Sequence, residues 1–149
     1  MTCVATSTWP RGVSVPEIVG VIVENVAPAI HRGVLITKAI PGMTLWEFVQ
    51  TDDDPQVRSH VIAMARRAID TMHEKGVFHG DLNLHNLFVS TAGDQFSIVI
   101  LDFDKSRLYP KPLSHPMRRR NLKRLARSMR KLDPSARYLD AKALAVLTN

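Results

Sequence analysis

The stretch His79-Gly80-Asp81-Leu82-Asn83-Leu84-His85-Asn86 alternates polar side chains with leucines and leads into a short aliphatic segment. A second aliphatic segment, residues 96 to 101, ends at Asp102-Phe103-Asp104. The glycine-containing turn between these two segments predicts a β-hairpin. Because a hairpin returns the chain to its starting point, we expect Asp102, sixteen residues beyond Asn86, to lie beside Asp81.

These two stretches fit the H-x-D-L-x-x-x-N and D-F-x patterns of kinase-like enzymes. Phosphoryl transfer needs a group that orients the attacking hydroxyl and ligands for the metal that neutralises phosphate charge. Asp81 is the candidate catalytic base, and the oxygens of Asn86 and Asp102 are candidate ligands for Mg²⁺, which prefers hard oxygen donors. Taken singly, each residue would more often be a turn cap, a strand start or a loop carboxylate. Their combination favours a catalytic site.

The remaining polar residues near these stretches have less specific predicted roles. We expect His79 to pack beneath the loop and to hydrogen-bond the loop backbone rather than to react. Asn83, His85 and Asp104 are candidates for substrate contact or for support of the loop. His73 is interpreted as a packed or surface residue, because the histidines outside the motif show no metal-ligand spacing.

Four segments together resemble the lipopolysaccharide core kinase family. Two are the catalytic stretches, G-V-F-H-G-D-L-N-L-H-N-L-F-V from Gly76 and I-V-I-L-D-F-D-K-S-R-L from Ile98. The others are L-I-T-K-A-I-P-G-M-T-L from Leu35 and the basic segment N-L-K-R-L-A-R-S-M-R-K from Asn121. The resemblance covers residues 12 to 132, and D-L-N-x-H-N with L-D-F-D carries most of it.

The resemblance implies an α+β, protein-kinase-like fold in a single domain over residues 1–149. Residues 12–41 would be a partial N-lobe of hinge-side strands, and residues 42–149 would be a helical C-lobe. The implied activity is ATP-dependent phosphorylation, with Mg²⁺, of a 3-deoxy-D-manno-octulosonic acid (Kdo) hydroxyl on a lipid A precursor. The implied location is the cytoplasmic face of the inner membrane.

The segment around Lys38 looks like the hinge strand and linker of the family. The backbone of Thr37, Lys38, Ala39 and Ile40 would then offer polar groups to an adenine ring. Lys38 is not interpreted as the phosphate-binding lysine, because only 43 residues separate it from Asp81. A linker and one long helix fill that interval.

Other parts of a complete kinase-like sequence are missing. The seven glycines include no G-x-G pair, so the sequence has no candidate for a Gly-rich loop over the phosphates. It also has no candidate for the strand lysine that pairs with a helix glutamate. We therefore expect a shortened N-lobe. Two alternatives to a sugar kinase stay open: a truncated or degenerate relative that binds nucleotide or an anionic surface without catalysis, and a different small-molecule or protein kinase.

The formal charge of +6 favours an anionic partner. Candidate contacts with anionic lipid or sugar phosphate lie in the basic segment: Arg118, Arg119, Arg120, Lys123, Arg124 and Arg127. Nucleic acid is disfavoured, because no aromatic residue lies between Leu113 and Ser135. No export signal or membrane span is predicted, so membrane contact would be peripheral. The lone Cys3 favours a reducing compartment, and the oligomeric state stays open.

The periodicity of apolar residues predicts the elements of the chain. They are strands over 13–23 and 33–40, a short helix Leu45–Val49, a long helix from Pro55 to the C-cap Gly76, strands Leu87–Val89 and Phe96–Leu101, a basic helix ending near Lys131, and a last helix after Pro134.

Overall fold

A computed structural model describes residues 12–27, 30–91 and 95–148. Together these residues form a mixed α/β fold of small antiparallel sheets and four helices. In chain order the elements are β1 (Ile18–Ala27), β2 (Ile30–Thr37), β3 (Gly42–Thr44), α1 (Leu45–Thr51), α2 (Pro55–Glu74), β4 (Val77–Phe78), β5 (Leu87–Ser90), β6 (Ser97–Ile100), β7 (Arg107–Leu108), α3 (His115–Leu132) and α4 (Ala141–Thr148).

Strands β1 and β2 form the predicted N-terminal hairpin, with Val21 opposite Leu35. The predicted boundaries were wrong: β1 begins at Ile18 and not at residue 13, and β2 ends at Thr37. The reason is that Ser14 leaves the hairpin, and its carbonyl accepts a hydrogen bond from the Ile100 N–H at 2.9 Å. The residues before β1 therefore join the N-terminal hairpin to the end of β6.

Strands β3, β5 and β6 form an antiparallel sheet in that order. The hairpin of β5 and β6 was predicted, although its turn at residues 92–94 lies outside the described residues. Strand β3 was not predicted, since three residues are too few to show a period. Gly42 begins it with a φ of 142°, and a Cβ there would meet the Val89 carbonyl oxygen at 2.1 Å.

Helices α1 and α2 begin at defined caps. Thr44 and Glu47 form a capping box on α1, and Asp54 accepts hydrogen bonds from the backbone N–H groups of the first turn of α2. The prediction that α2 begins at Pro55 is confirmed. Its apolar face, which includes the buried Ile69, packs on β6 and α4 and forms part of the hydrophobic core.

Helix α3 has the predicted basic character, but the start predicted for the last helix was wrong. The Asp133 carboxylate accepts hydrogen bonds from the backbone N–H groups of Arg137, Tyr138 and Leu139 at 2.8 to 2.9 Å. These bonds hold the chain after Pro134 in a turn, so α4 begins only at Ala141. Burial by itself raises the pKa of Asp133, yet the three donors outweigh it and lower the pKa.

Candidate functional site

His79 lies beneath the loop that carries Asp81, and its side chain is fully buried. The Asp81 N–H donates to His79 Nδ1 at 3.1 Å, so that nitrogen is an acceptor. His79 Nε2 therefore carries the proton and donates to the Leu101 carbonyl at 2.9 Å. Burial lowers the pKa of His79, which favours this neutral tautomer. The ring thus ties the Asp81 backbone to the residue before Asp102.

Gly80 passes against the backbone of Lys105. A Cβ on Gly80 would lie 2.0 Å from the Lys105 carbonyl oxygen, a distance that no side chain allows. The Gly80 N–H also donates to Ser106 Oγ at 3.3 Å. Glycine at this position lets the segment after Asp102 pack directly on the loop.

Two asparagines close the loop around the Asp81 carbonyl. Asn83 Nδ2 and Asn86 Nδ2 donate to it at 3.0 and 2.9 Å. Asn83 Oδ1 in turn accepts from the backbone N–H groups of His85 and Asn86. The Asn83 side chain therefore supports the loop through hydrogen bonds to the loop backbone. In Asn86 the same bond orients the amide so that Oδ1 is the atom available as a metal ligand.

Asn86 and Asp102, which we expected to be neighbours, are connected by a backbone hydrogen bond of the residue before Asp102. The Leu101 N–H donates to the Asn86 carbonyl at 2.9 Å. Asp102 itself has a φ of 59°, a left-handed conformation that is uncommon for residues other than glycine. Such strain is often found at functional sites, and here it sets the direction of the carboxyl group.

Asp102 and Asp104 have interacting carboxyl groups. A hydrogen bond between the two raises the pKa of Asp102, with burial adding to the effect, and the same bond lowers the pKa of Asp104. Two adjacent carboxylates repel each other when both are ionised, and a divalent cation removes that repulsion. Carboxylate oxygens and the Asn86 amide oxygen are the hard ligands that Mg²⁺ prefers, so the residue types present fit this ion. Among the described residues no cluster of three or more His, Cys, Asp or Glu side chains forms a metal site.

His85 is exposed and takes part in the loop through its backbone N–H. Its side chain lies close enough to Glu47 to act on that carboxyl group. Hydrogen bonds from the backbone and side chain of Thr44 lower the pKa of Glu47, and His85 makes a smaller contribution in the same direction.

Asn121 of α3 was not identified from the sequence, yet it holds the loop from below. Its Nδ2 donates to the His79 carbonyl at 2.7 Å, and its Oδ1 accepts from the His79 N–H at 3.3 Å. Since Oδ1 is an acceptor, His73 Nε2 donates to it at 3.0 Å. Both His73 and Asn121 are fully buried. An asparagine in a basic helix has no local signal for this role, because its partner lies 42 residues earlier.

A cleft of about 490 Å³ lies between the N-terminal hairpin and the Asp102 segment. Most of its wall is apolar, and its lining consists of Val15, Pro16, Ile18, Leu35, Thr37, Leu101, Asp102, Phe103 and Asp104. Of the predicted hinge residues, Thr37 contributes to this lining. Lys38, Ala39 and Ile40 lie in the connection from β2 to β3, where the Lys38 N–H donates to the Glu17 carbonyl at 2.9 Å. The exposed Lys38 side chain pairs with Glu17.

The predicted basic residues of α3 point in different directions. Arg124 Nη1 lies 3.2 Å from Asp81 Oδ1. Arg118 is partly buried, and its Nε donates to the Leu113 carbonyl at 3.0 Å. The other four line a groove of about 350 Å³ together with His115: Arg119, Arg120, Lys123 and Arg127.

A fold in which the loop of Asp81 and Asn86 is bonded to the residue before Asp102 fits the kinase-like class of proteins. Comparison with sequence families identifies the group: the chain belongs to the lipopolysaccharide kinase (Kdo/WaaP) family, whose model matches residues 9–145.

Curated relatives carry the name 3-deoxy-D-manno-octulosonic acid kinase. The protein from Pasteurella multocida (strain Pm70) is 31% identical over 121 residues, which are 80% of this chain and 48% of the relative. The one from Vibrio cholerae is 28% identical over 120 residues, 80% of this chain and 47% of the relative. The chain thus spans about half the length of these relatives.

A solved structure described as WaaP in complex with acyl carrier protein is similar in fold. Its TM-score is 0.70, with 18% sequence identity, and the match covers 91% of this chain and 58% of the WaaP chain. This likeness supports the protein-kinase-like fold. Among the described residues, none of the helices has the length and apolar character needed to cross a membrane.

Proposed function

We propose that the chain phosphorylates a hydroxyl of Kdo in the lipopolysaccharide inner core, with ATP as the phosphate donor. The observation that supports this most is the bonding of the Asp81 loop to the segment that leads into Asp102. The Asn86 side chain donates to the Asp81 carbonyl, and the residue before Asp102 donates to the Asn86 carbonyl. Family membership and the names of the relatives support the sugar acceptor.

In this proposal the half-exposed Asp81 carboxylate accepts the proton of the attacking sugar hydroxyl. Asn86 Oδ1 and Asp102 hold Mg²⁺, with Asp104 beside them, and the bound cation would neutralise charge on the phosphates. The apolar cleft next to Asp102 takes the adenine ring. Because the Lys38 N–H is already bonded to Glu17, adenine contacts at the proposed hinge would come from the Lys38 carbonyl and from the backbone of Ala39 and Ile40.

We further propose that the groove on α3 contacts an anionic surface at the cytoplasmic face of the inner membrane. Four exposed cations face this groove: Arg119, Arg120, Lys123 and Arg127. Near an acidic bilayer, each basic residue contributes on the order of 1 kcal/mol to binding. The acceptor sugar is attached to lipid A, so such contact would bring the site to its substrate. Arg118 and Arg124 are engaged elsewhere and contribute less.

The experiment that tests the proposal is transfer of labelled phosphate from ATP to Kdo-linked lipid A precursor. Asp81→Ala should reduce the rate by a factor of about 10² to 10⁴, as loss of a general base does. Asp53→Ala, an exposed carboxylate between α1 and α2, is the matched control and should act as wild type. A loss below tenfold in Asp81→Ala would contradict the assignment.

A second candidate is a relative that binds nucleotide without turnover. The apolar cleft beside Asp102 supports nucleotide binding whether or not transfer follows. Titration calorimetry with ATP and Mg²⁺ separates the two: binding without transfer to any acceptor supports the second candidate. Transfer to an alternative acceptor, such as an antibiotic or a protein, but not to Kdo would indicate a different kinase.

A further inference from the structure

Arg124 differs from its basic neighbours on α3 because its side chain contacts the Asp81 carboxylate. Its Nη1 lies 3.2 Å from Asp81 Oδ1, whereas Lys123 and Arg127 line the groove described above. The proposed base therefore has a guanidinium beside it, and that guanidinium comes from an element 43 residues further along the chain.

The position of Arg124 follows from the anchoring of its helix. Asn121, three residues earlier, is bonded to both backbone polar groups of His79. Residues three apart lie next to each other on a helix surface. The same turn of α3 therefore supports the loop from beneath through Asn121 and reaches the Asp81 carboxylate from the side through Arg124.

The contribution of the Arg124–Asp81 ion pair to folding stability does not explain why Arg124 lies beside Asp81. The side chains of Arg124 and Asp81 are 48% and 42% exposed, and ion pairs between groups this exposed contribute little to folding. Residues 79 to 86 contain no Lys or Arg, so the loop itself offers no positive charge to a phosphate. The guanidinium is planar and has several N–H donors, which allows it to bond a carboxylate and a phosphoryl oxygen together.

We propose that Arg124 is a catalytic residue that binds the phosphoryl group during its transfer, a role that rests on the kinase function proposed above. In that reaction a P–O bond forms to the acceptor oxygen, and the bond between the γ-phosphorus and the β,γ-bridging oxygen breaks. The electron pair of the broken bond leaves with ADP, and the hydroxyl proton goes to Asp81. Negative charge is spread over the phosphoryl oxygens as it moves, and an arginine at this place stabilises that charge.

The test compares a mimic of the transferring phosphoryl group with the ground-state nucleotide. Affinities for Mg²⁺–ADP with tetrafluoroaluminate and for Mg²⁺–ADP alone are measured on the purified chain by titration calorimetry. Arg124→Ala should weaken the tetrafluoroaluminate complex by about 10- to 100-fold, since it removes a charge-assisted contact. Binding of ADP alone should change by less than about twofold, because ADP lacks the transferred group.

Two further variants sharpen the comparison. Arg124→Lys keeps the charge without the planar fork and should recover only part of the lost affinity. Arg130→Ala removes an exposed charge from the same helix and should leave both affinities unchanged. A purely structural role for Arg124 would weaken both complexes equally or neither, and either result would overturn the proposal. So would a wild-type chain that does not distinguish the tetrafluoroaluminate complex from ADP.

The measurement is independent of the sugar acceptor. If the tetrafluoroaluminate complex depends on Arg124 while no phosphate reaches Kdo, the acceptor proposed above is wrong and the role of Arg124 stands. If phosphate reaches Kdo in wild type and in Arg124→Ala at equal rates, the kinase proposal stands and the role of Arg124 is wrong.

Discussion

Asn121 bonds both the backbone N–H and the backbone carbonyl of His79, 42 residues before it in the chain. The two bonds hold the loop of Asp81 against the middle of α3, and His73 of α2 donates to the same amide oxygen. All three side chains are fully buried. The loop that carries Asp81 is therefore positioned by two helices as well as by its own turn.

Replacing Asn121 with Ala should destabilise the fold strongly. The change leaves the His79 N–H, the His79 carbonyl and His73 Nε2 buried without partners, and each such group costs roughly 1 to 3 kcal/mol. We expect a loss of at least about 3 kcal/mol in the free energy of unfolding, measured by urea titration. Lys123→Ala, an exposed change on the same helix, should alter it by less than about 0.5 kcal/mol. Equal effects of the two changes would contradict this role of Asn121.

Gly80→Ala should displace the loop from the Asp102 segment. Its Cβ would lie 2.0 Å from the Lys105 carbonyl oxygen, so the backbone has to move. Such overpacking costs about 1 to 3 kcal/mol or more, which urea titration can measure. Gly33→Ala in β2 is the matched control, since a Cβ there meets nothing within 4 Å. That control should be close to neutral, and a larger loss in Gly33→Ala than in Gly80→Ala would refute the packing argument.

Asp102→Asn should remove the Mg²⁺ dependence of ATP binding without harming the fold. The interaction with Asp104 raises the pKa of Asp102, so removing this charge relieves repulsion between the carboxylates. We expect affinity for Mg²⁺–ATP to fall by at least about tenfold in titration calorimetry. The unfolding midpoint without Mg²⁺ should be unchanged or higher. Asp53→Asn should bind as wild type does, and unaltered binding by Asp102→Asn would exclude it as a ligand.

The stability of the protein should decrease as the pH falls below about 6.5. Burial lowers the pKa values of His73 and His79 below 6.5 in the folded state. The unfolded chain therefore binds more protons just below that pH, and the stabilisation that is complete above 6.5 is lost on acidification. Each histidine contributes a slope of up to about 1.4 kcal/mol per pH unit.

Urea titrations at several pH values between 5.5 and 7.5 measure this slope. His73→Gln removes one of the two buried rings and should make the slope smaller. His60→Gln replaces an exposed histidine on the same helix, α2, and should leave the slope as it is in wild type. A slope that is equally steep in His73→Gln would show that His73 is not a source of the pH dependence.

Sequence reasoning reached the parts of the fold that depend on neighbouring residues. The hairpin of β5 and β6, the start of α2 at Pro55 and the kinase-like class all come from local patterns of turn, cap and motif. Sequence reasoning was wrong where contacts between distant residues decide the start of an element. Strand β1 starts late because Ser14 bonds Ile100 instead of pairing in the N-terminal hairpin, and α4 starts late because Asp133 caps the turn before it.

The amino-acid sequence by itself determined that Asp81, Asn86 and Asp102 belong to one unit, because a single short hairpin connects them. Only the tertiary structure decided that Asn121 supports the Asp81 loop from below and that Arg124 reaches the Asp81 carboxylate. The physical reason is that a helix pattern predicts which face is buried but not which distant backbone that face meets. Those partners are selected when α3 packs against the loop, and no local spacing records the choice.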